Sequence, residues 1–167
     1  IQGSHPVGWC PRDQNPVSQH DTMGDVEPKI DDKNHLLKFK FGEYIFPVTT
    51  LRPETIFGIT NLWVNPNTIY KKIKADDEKW IVSEECANKI KFFGKEITIE
   101  GDIAGTEIIG KYATALHNNQ EIPILEAEFV EPAIGTGLVM SVPAHAPKDY
   151  QALMDLKAKN HELASKI

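Results

Sequence analysis

Ile134-Gly135-Thr136-Gly137-Leu138-Val139-Met140-Ser141-Val142-Pro143-Ala144-His145-Ala146-Pro147-Lys148-Asp149-Tyr150 is the stretch around which the rest of the chain is read. Two glycines flank Thr136, and glycine lets a backbone approach a ligand where a Cβ would clash. The mostly apolar run from Leu138 to Val142 reads as a buried strand. Pro143 cannot donate to a sheet, so the strand ends there. A turn of small residues carrying His145 follows, and then a helical pattern with Asp149 at its start and backbone amides left free nearby. The stretch predicts a strand-to-helix corner that forms a pocket wall. An ordinary glycine-rich turn feeding a core strand has the same spacing, because Gly-x-Gly alone is a weak signal.

Downstream, Tyr150, Leu153, Met154, Leu156 and Ala158 recur at helical spacing, which predicts a helix packed on a β-barrel. Upstream, a second polar cluster reads Thr49-Thr50-Leu51-Arg52-Pro53-Glu54-Thr55-Ile56-Phe57-Gly58. Pro53 followed by Glu54 marks a helix start with an acid in the first turn. Thr50 fits a helix cap. Three hydroxyls around one Arg-Pro exceed what a cap needs, and they suit a water, a phosphate or a ribose equally. Arg52 is a natural phosphate partner.

Strand signals surround these clusters. Leu36 to Phe41 alternates apolar and charged residues, Gly42-Glu43 turns, and Tyr44 to Thr50 returns. Thr60 to Pro66 reads as a core strand ending in a turn. Ile69 to Lys79 is lysine-rich with no firm pattern. Lys79 to Val82 reads as a strand, and Ser83-Glu84-Glu85-Cys86 as a capped helix start. Cys86 reads as a small buried hydrophobe. Ile97 to Glu100, Thr106 to Ile109, Ala113 to Leu116, Ile122 to Leu125 and Glu128 to Val130 read as short strands. Strands so closely spaced predict a β-rich α+β fold: a mostly antiparallel β-barrel core with short peripheral helices. Residues 1–167 read as one domain, with an entry ribbon over about 5–28 and the barrel core with its helices over about 35–167. In the ribbon, Cys10-Pro11-Arg12-Asp13 looks like half of a zinc knuckle, but one Cys, one Asp and a distant His20 make a poor zinc site. A hairpin at the entry to the domain is favoured there.

Composition narrows the functional classes. The chain has 167 residues, 41% hydrophobic and 25% charged, which suits a globular domain with a real core. No apolar run approaches a membrane span, so no membrane partner is expected. Two cysteines far apart indicate no disulfide framework, and a cytoplasmic setting is the expectation. A net charge of -6 argues against a free-standing basic nucleic-acid binder, but not against a pocket for one nucleic-acid end. No serine elbow, helical His pair or Walker loop is present. What remains are the two polar clusters. Each opens a helix after a strand, so both suit the same end of a barrel. Their inventory suits anchoring an ammonium on Asp149 and holding a water and a carbonyl in place, rather than covalent catalysis. No metal site is expected.

With these residues in hand, the segment from Thr50 to Pro66 closely resembles the threonine-rich segment of class I aminoacyl-tRNA synthetase editing domains. Gly135 to Asp149 resembles their Gly-Thr-Gly segment. Leu51 before Arg52, Asn61-Leu62-Trp63-Val64-Asn65-Pro66 and Met140-Ser141-Val142-Pro143 look most like the leucyl type of archaea. The ribbon with Trp9-Cys10-Pro11, Asn15-Pro16-Val17 and His20-Asp21 also looks like that family's junction into the insert. The resemblance covers nearly the whole chain, and neither nucleotide-binding signature of the synthesis domain is present.

The resemblance implies hydrolysis of the aminoacyl ester of mischarged tRNA(Leu) with water as nucleophile. It implies Thr50 and Asp149 as the catalytic residues. Thr50 and Arg52 contact the terminal adenosine and the ester, and Thr49 lies beside them. Thr55 blocks leucine, and Met140 and Val142 complete that pocket. Asp149 binds the α-ammonium, the backbone from Gly135 through Thr136 and Gly137 to Leu138 faces the adenosine, and His145 belongs to the same segment. Ala146 replaces an Asp of bacterial members, and Ile134 a frequent Tyr. The implied partners are the tRNA(Leu) 3′ end and the rest of the synthetase. No cofactor serves editing; ATP and Mg serve the synthesis domain. Three other readings stay open: a non-catalytic module binding an RNA end or a protein, a valyl or isoleucyl type of editing, and hydrolysis of the aminoacyl adenylate.

Overall fold

The computed structural model describes residues 8–10, 12, 14–17, 34–92, 96–159 and 161–167. The chain divides into two compact units, Ile1–Lys33 and Asn34–Ile167. In the first, β1 (Gly8–Cys10) pairs antiparallel with β2 (Asn15–Val17), Cys10 opposite Asn15. Gln14, at φ 52°, makes the tight turn between them. This is the expected hairpin. Asp13 and His20 of the half-knuckle lie outside the described residues.

The second unit is built on a nine-stranded sheet in the order β11-β5-β10-β9-β3-β4-β7-β6-β8. β3 (His35–Phe41) and β4 (Tyr44–Thr50) form the hairpin their alternation predicts, turning at Gly42 with φ +60°. A 3-10 segment, Pro53–Gly58, leads into β5 (Asn61–Val64), which is buried along its whole length. β6 (Ile69–Ala75) and β7 (Glu78–Ser83) form a second hairpin, followed by α1 (Glu84–Phe92). Ser83 Oγ accepts from the Cys86 amide at 3.1 Å, the cap the sequence predicts. Cys86 is buried, and desolvation pushes its thiol up to about 11. β8 (Ile97–Ala104), the single turn α2 (Gly105–Ile108), β9 (Tyr112–Ala115) and β10 (Glu121–Glu126) follow. β11 (Leu138–Ser141), α3 (Pro147–Ala158) and α4 (Glu162–Ser165) complete the unit.

The expectation of a closed, mostly antiparallel barrel is corrected to an open mixed sheet with short helices. β5 runs parallel to β10, and β4 parallel to β7, while the remaining pairs are antiparallel. β10 changes partner halfway: Glu121–Pro123 pairs with β9, and Ile124–Glu126 pairs with β5. That handover bends the sheet. β11 is brought to pack on β4, but no ladder joins them. The loop before β11 is tied instead to the end of β7, its Thr136 carbonyl accepting from the Ser83 amide at 2.9 Å. Regular strand spacing in a sequence cannot reveal a parallel crossover or a mid-strand change of partner. Two short runs are also corrected. Thr106–Ile109 falls largely in α2, where Gly105 passes so close to the Asn65 carbonyl that a Cβ would meet it at 2.2 Å. Glu128–Val130 is a turn whose Val130 carbonyl accepts from Asn65 Nδ2.

Three apolar clusters hold the unit. Phe39, Phe46, Leu62, Ile81, Ile124 and Met140 meet within the curl of the sheet. Trp63, Leu125 and Val130 pack against Leu153 and Leu156 of α3 and Ala164 of α4. Ile73, Trp80 and Val82 pack against Cys86 and Ala87 of α1. Among the described residues no helix is long and apolar enough to cross a membrane.

Candidate active site

The β4-to-β5 corner and the segment from Gly135 to Asp149 lie side by side. At one end, a Cβ on Gly135 would stand 2.4 Å from Thr49 Oγ1. At the other, a Cβ on Gly58 would touch Val142 Cγ1 at 3.4 Å, and the Thr60 amide donates to the Ser141 carbonyl at 3.1 Å. The pairing of β11 with β5, Met140 opposite Leu62, locks the two segments together between those points. The two polar clusters of the sequence thus adjoin one another in the fold.

Local hydrogen bonds explain two of the three threonines. Thr50 Oγ1 accepts from the Arg52 amide at 3.1 Å, and Thr55 donates its hydroxyl to the Arg52 carbonyl at 2.7 Å. Both stabilise the 3-10 turn, which Pro53 starts with φ already fixed. Thr55 is buried, while Thr49 is exposed and Thr50 half-buried. Arg52 is exposed, and its Nε donates to Glu54 Oε1 at 3.0 Å. A backbone hydrogen bond, then Arg52, holds the Glu54 carboxyl below its usual range, and His145 adds to this from across the corner. His145 itself is exposed.

The Gly-Thr-Gly turn is tethered from behind. Gly135 and Gly137 have φ of +59° and +78°. The Gly137 carbonyl accepts from the Tyr70 hydroxyl at 3.0 Å, and that hydroxyl accepts from the Asn65 amide at 3.0 Å. Ser83 Oγ donates to the Pro132 carbonyl at 2.7 Å, and Lys89 Nζ donates to the Ala133 carbonyl. Thr136 is buried, and among the described residues its hydroxyl has no hydrogen-bond partner. Leu138, Met140 and Val142 are buried in the central cluster.

Asp149 is 7% exposed in the first turn of α3. One carboxylate oxygen accepts from Trp63 Nε1 at 3.1 Å, the other from the Val142 amide at 2.8 Å. Burial raises its pKa, and the Val142 amide, the Trp63 indole and Lys148 oppose that rise. Three amides of this corner are committed: Val142 donates to Asp149, and His145 and Ala146 both donate to the Val142 carbonyl; no side-chain hydrogen bond caps the start of α3. Trp63, Tyr70, Ser83 and Lys89 were not singled out from the sequence as site residues. Only Trp63 and Tyr70 carried a signal, since a buried indole N–H or phenol must find a partner.

Leu51, Phe57, Ile134 and Tyr150 are the exposed large apolar residues belonging to the two segments, Phe57 being 83% exposed with its ring edge-on to His117. Of two surface cavities of about 330 and 320 Å³, the first lies beside Phe129 and Leu156, and the second, beside Tyr112 and Leu163, reaches Ile59 and Thr60 at the end of the β4-to-β5 corner. Among the described residues no three His, Cys, Asp or Glu side chains are gathered to hold a metal ion.

Comparison with known proteins gives the following. Residues 34–164 match the family model described as leucyl-tRNA synthetase, editing domain. The leucine-tRNA ligase of Methanothrix thermoacetophila is 50% identical over 155 residues, covering 93% of this chain and 16% of that protein. The enzyme of Archaeoglobus fulgidus is 45% identical over 166 residues, covering 98% of this chain and 18% of that protein. The chain thus spans less than a fifth of these relatives. The crystal structure of GlLeuRS-CP1 superposes with a TM-score of 0.68 at 27% identity, covering 78% of this chain and 63% of that one. The cytosolic leucyl-tRNA synthetase editing domain of P. knowlesi shares the fold, with a TM-score of 0.65 at 18% identity over 75% of this chain and 63% of that one.

Proposed function

Because the chain belongs to the leucyl-tRNA synthetase editing-domain family, we propose that it hydrolyses the ester joining a noncognate amino acid to the 3′ end of tRNA(Leu). One observation carries this reading beyond membership: the β4-to-β5 corner and the Gly135–Asp149 segment, far apart in sequence, adjoin one another in the fold.

The chemistry asks little of the side chains. Water attacks the ester carbonyl carbon, the carbon–oxygen bond to the ribose breaks, and the ribose oxygen leaves with a proton. The products are a free amino acid and tRNA(Leu). Thr50 and Arg52 hold the terminal adenosine and the ester, with exposed Thr49 beside them. The backbone from Gly135 through Thr136 and Gly137 to Leu138 supports the adenosine. Asp149 receives the α-ammonium. Thr55, Met140 and Val142 bound the amino-acid side chain, and Thr55 excludes leucine by bulk. His145 stands at the rim with Arg52. Exposed Phe57 and Tyr150 offer flat faces to the unpaired bases of an RNA end. No cofactor is needed for this step; ATP and Mg serve aminoacylation in the rest of the synthetase, which presents the tRNA in the cytoplasm.

The need for such a site is physical. One methylene is worth about 1–3 kcal/mol in an apolar pocket, too little to reject near-isosteres, and a second hydrolytic site makes up the difference; synthetases are the established illustration of that principle.

The test is deacylation of tRNA(Leu) charged with norvaline, isoleucine or methionine, beside the same tRNA charged with leucine. Release of the noncognate amino acids alone is expected, with near-complete loss in Asp149→Ala. Absence of release, both from this chain and from the whole synthetase containing it, would leave a binding module.

A further inference from the structure

Asp149 is an unusual ammonium receptor, because both of its oxygens are already occupied. A carboxylate offers about four lone-pair directions, so two donors leave room for a third, provided the first two fix the orientation. The Val142 amide belongs to the backbone and comes with β11. The other donor is a side chain, and it sits 86 residues away in sequence, on β5.

We infer that Trp63 is a positioning residue for the proposed ester hydrolysis, its indole N–H holding one oxygen of Asp149 so that the carboxylate keeps the orientation in which it receives the α-ammonium. The inference rests on the function proposed above.

The geometry supports it on three counts. First, Trp63 is fully buried, so its N–H has no water to turn to. Second, its ring cannot swing away. Leu125, Val130, Leu153 and Leu156 pack around it, and Phe129 meets it edge-on with centroids 5.8 Å apart. Lys148 Nζ lies 4.6 Å from the Phe129 ring centroid, capping the stack from the residue next to Asp149. Third, the two hydrogen bonds of Asp149 come from outside its own helix, one from β5 and the other from Val142, the residue that follows β11. A buried tryptophan could fill this space without a partner for its N–H only at a desolvation cost. Here the donor and the acceptor satisfy each other.

The same bond helps keep Asp149 ionised. Burial favours the neutral acid, which has no charge to offer an ammonium, and the two hydrogen bonds favour the carboxylate. Among the described residues Lys148 is the charged group that bears on Asp149, and it too favours the carboxylate.

Trp63→Phe keeps an aromatic ring and removes the donor. Three changes are expected in the chain that carries out the hydrolysis. At neutral pH kcat/KM for the noncognate ester falls about tenfold, the scale of one hydrogen bond to a charged group. The acid limb of the pH profile moves to higher pH. The Asp149 carboxyl, followed by carbon NMR in Asp-labelled protein without substrate, titrates at higher pH than in the wild type. Leu163→Ala trims the same cluster from α4 and leaves Trp63, Phe129 and Lys148 in place; it is expected to lower the melting temperature and leave both midpoints where they are. If Trp63→Phe does not fold, benzothienylalanine at position 63 supplies the same shape with sulfur in place of N–H.

An active wild type with an unmoved acid limb in the donor-less variant would overturn the inference and leave the hydrolysis reading standing. An inactive wild type would overturn the hydrolysis reading. The carboxyl titration would then still decide whether the indole governs Asp149: an unchanged midpoint overturns that hold, and a raised one upholds it.

Discussion

Thr55 commits its hydroxyl to the Arg52 carbonyl, so what it can present to a bound amino acid is bulk and not a donor. Thr55→Ala is therefore expected to do two separable things. Leucyl-tRNA(Leu), untouched by the wild type, begins to be deacylated. The fold loses about 1 kcal/mol, the net worth of one hydrogen bond, seen as a small drop in melting temperature. Unchanged discrimination with the same drop would show that the threonine serves only the turn. Tyr70 makes a prediction in pH. Its phenol titrates near 12, against 10.0 in a model compound, chiefly because it is buried. The neutral form is thus favoured by folding, and its contribution is full below pH 10 and lost as pH rises through 12. The loss is on the order of 2–3 kcal/mol. Urea midpoints measured from pH 9 to 12 should fall more steeply in the wild type than in Tyr70→Phe. Residue chemistry was partly legible. Hydroxyls crowding Arg52-Pro53 stood out, and use of the Thr50 hydroxyl by the backbone of the turn was anticipated, whereas the bond from Thr55 to the Arg52 carbonyl was not. The partners of Asp149 and Gly137 were invisible because they come from β5 and β6, far along the chain.

Elements were legible where one face is buried and the period is clean. The β3–β4 hairpin is the clearest case, with alternation on one strand, β-branched residues on the other and a glycine turn between. β6 failed that test for a physical reason. Tyr70 is buried in the central cluster, while Ile73 and Ala75 are buried with α1 in another, so the buried face changes within seven residues. Lysines fill the positions between, and no single period survives. The Gly-Thr-Gly turn was read as a backbone approach to a ligand; what stands against Gly137 in the fold is Ser83, at 2.6 Å from a would-be Cβ. Gly137→Ala combines a positive φ with that clash and is expected to cost about 2–4 kcal/mol. The same variant should slow deacylation, because the turn would have to leave its anchor on Tyr70. Stability and rate measured together would check this; a variant as stable as the wild type would show that the loop tolerates the shift.

At the scale of the whole molecule, the sequence supported a β-rich core with few helices, and it missed the openness of the sheet. Closure was inferred from spacing, and spacing is silent on the parallel joins β5–β10 and β4–β7 and on the partner change within β10. An open sheet has two ends. At one, β11 is backed by β4 and by the tethered loop before it. At the other lies β8, eight residues long, paired with β6 on one side only among the described residues. Such an edge is a template for a further strand from another molecule, and charge and irregularity are the usual defences. β8 has both. Glu100 and Asp102 sit within it near Lys79 and Lys71, and the ladder to β6 breaks register where Glu100 is skipped. Between them they guard half-exposed Ile99. Surface ion pairs contribute little to folding, so Glu100→Gln with Asp102→Asn should leave the melting temperature nearly unchanged. What should change is colloidal behaviour: concentration-dependent self-association, seen by sedimentation or light scattering, at concentrations where the wild type stays dispersed. Those two acids would then owe their place to keeping neighbouring molecules apart in a crowded solution, a demand that the fold of one molecule does not make.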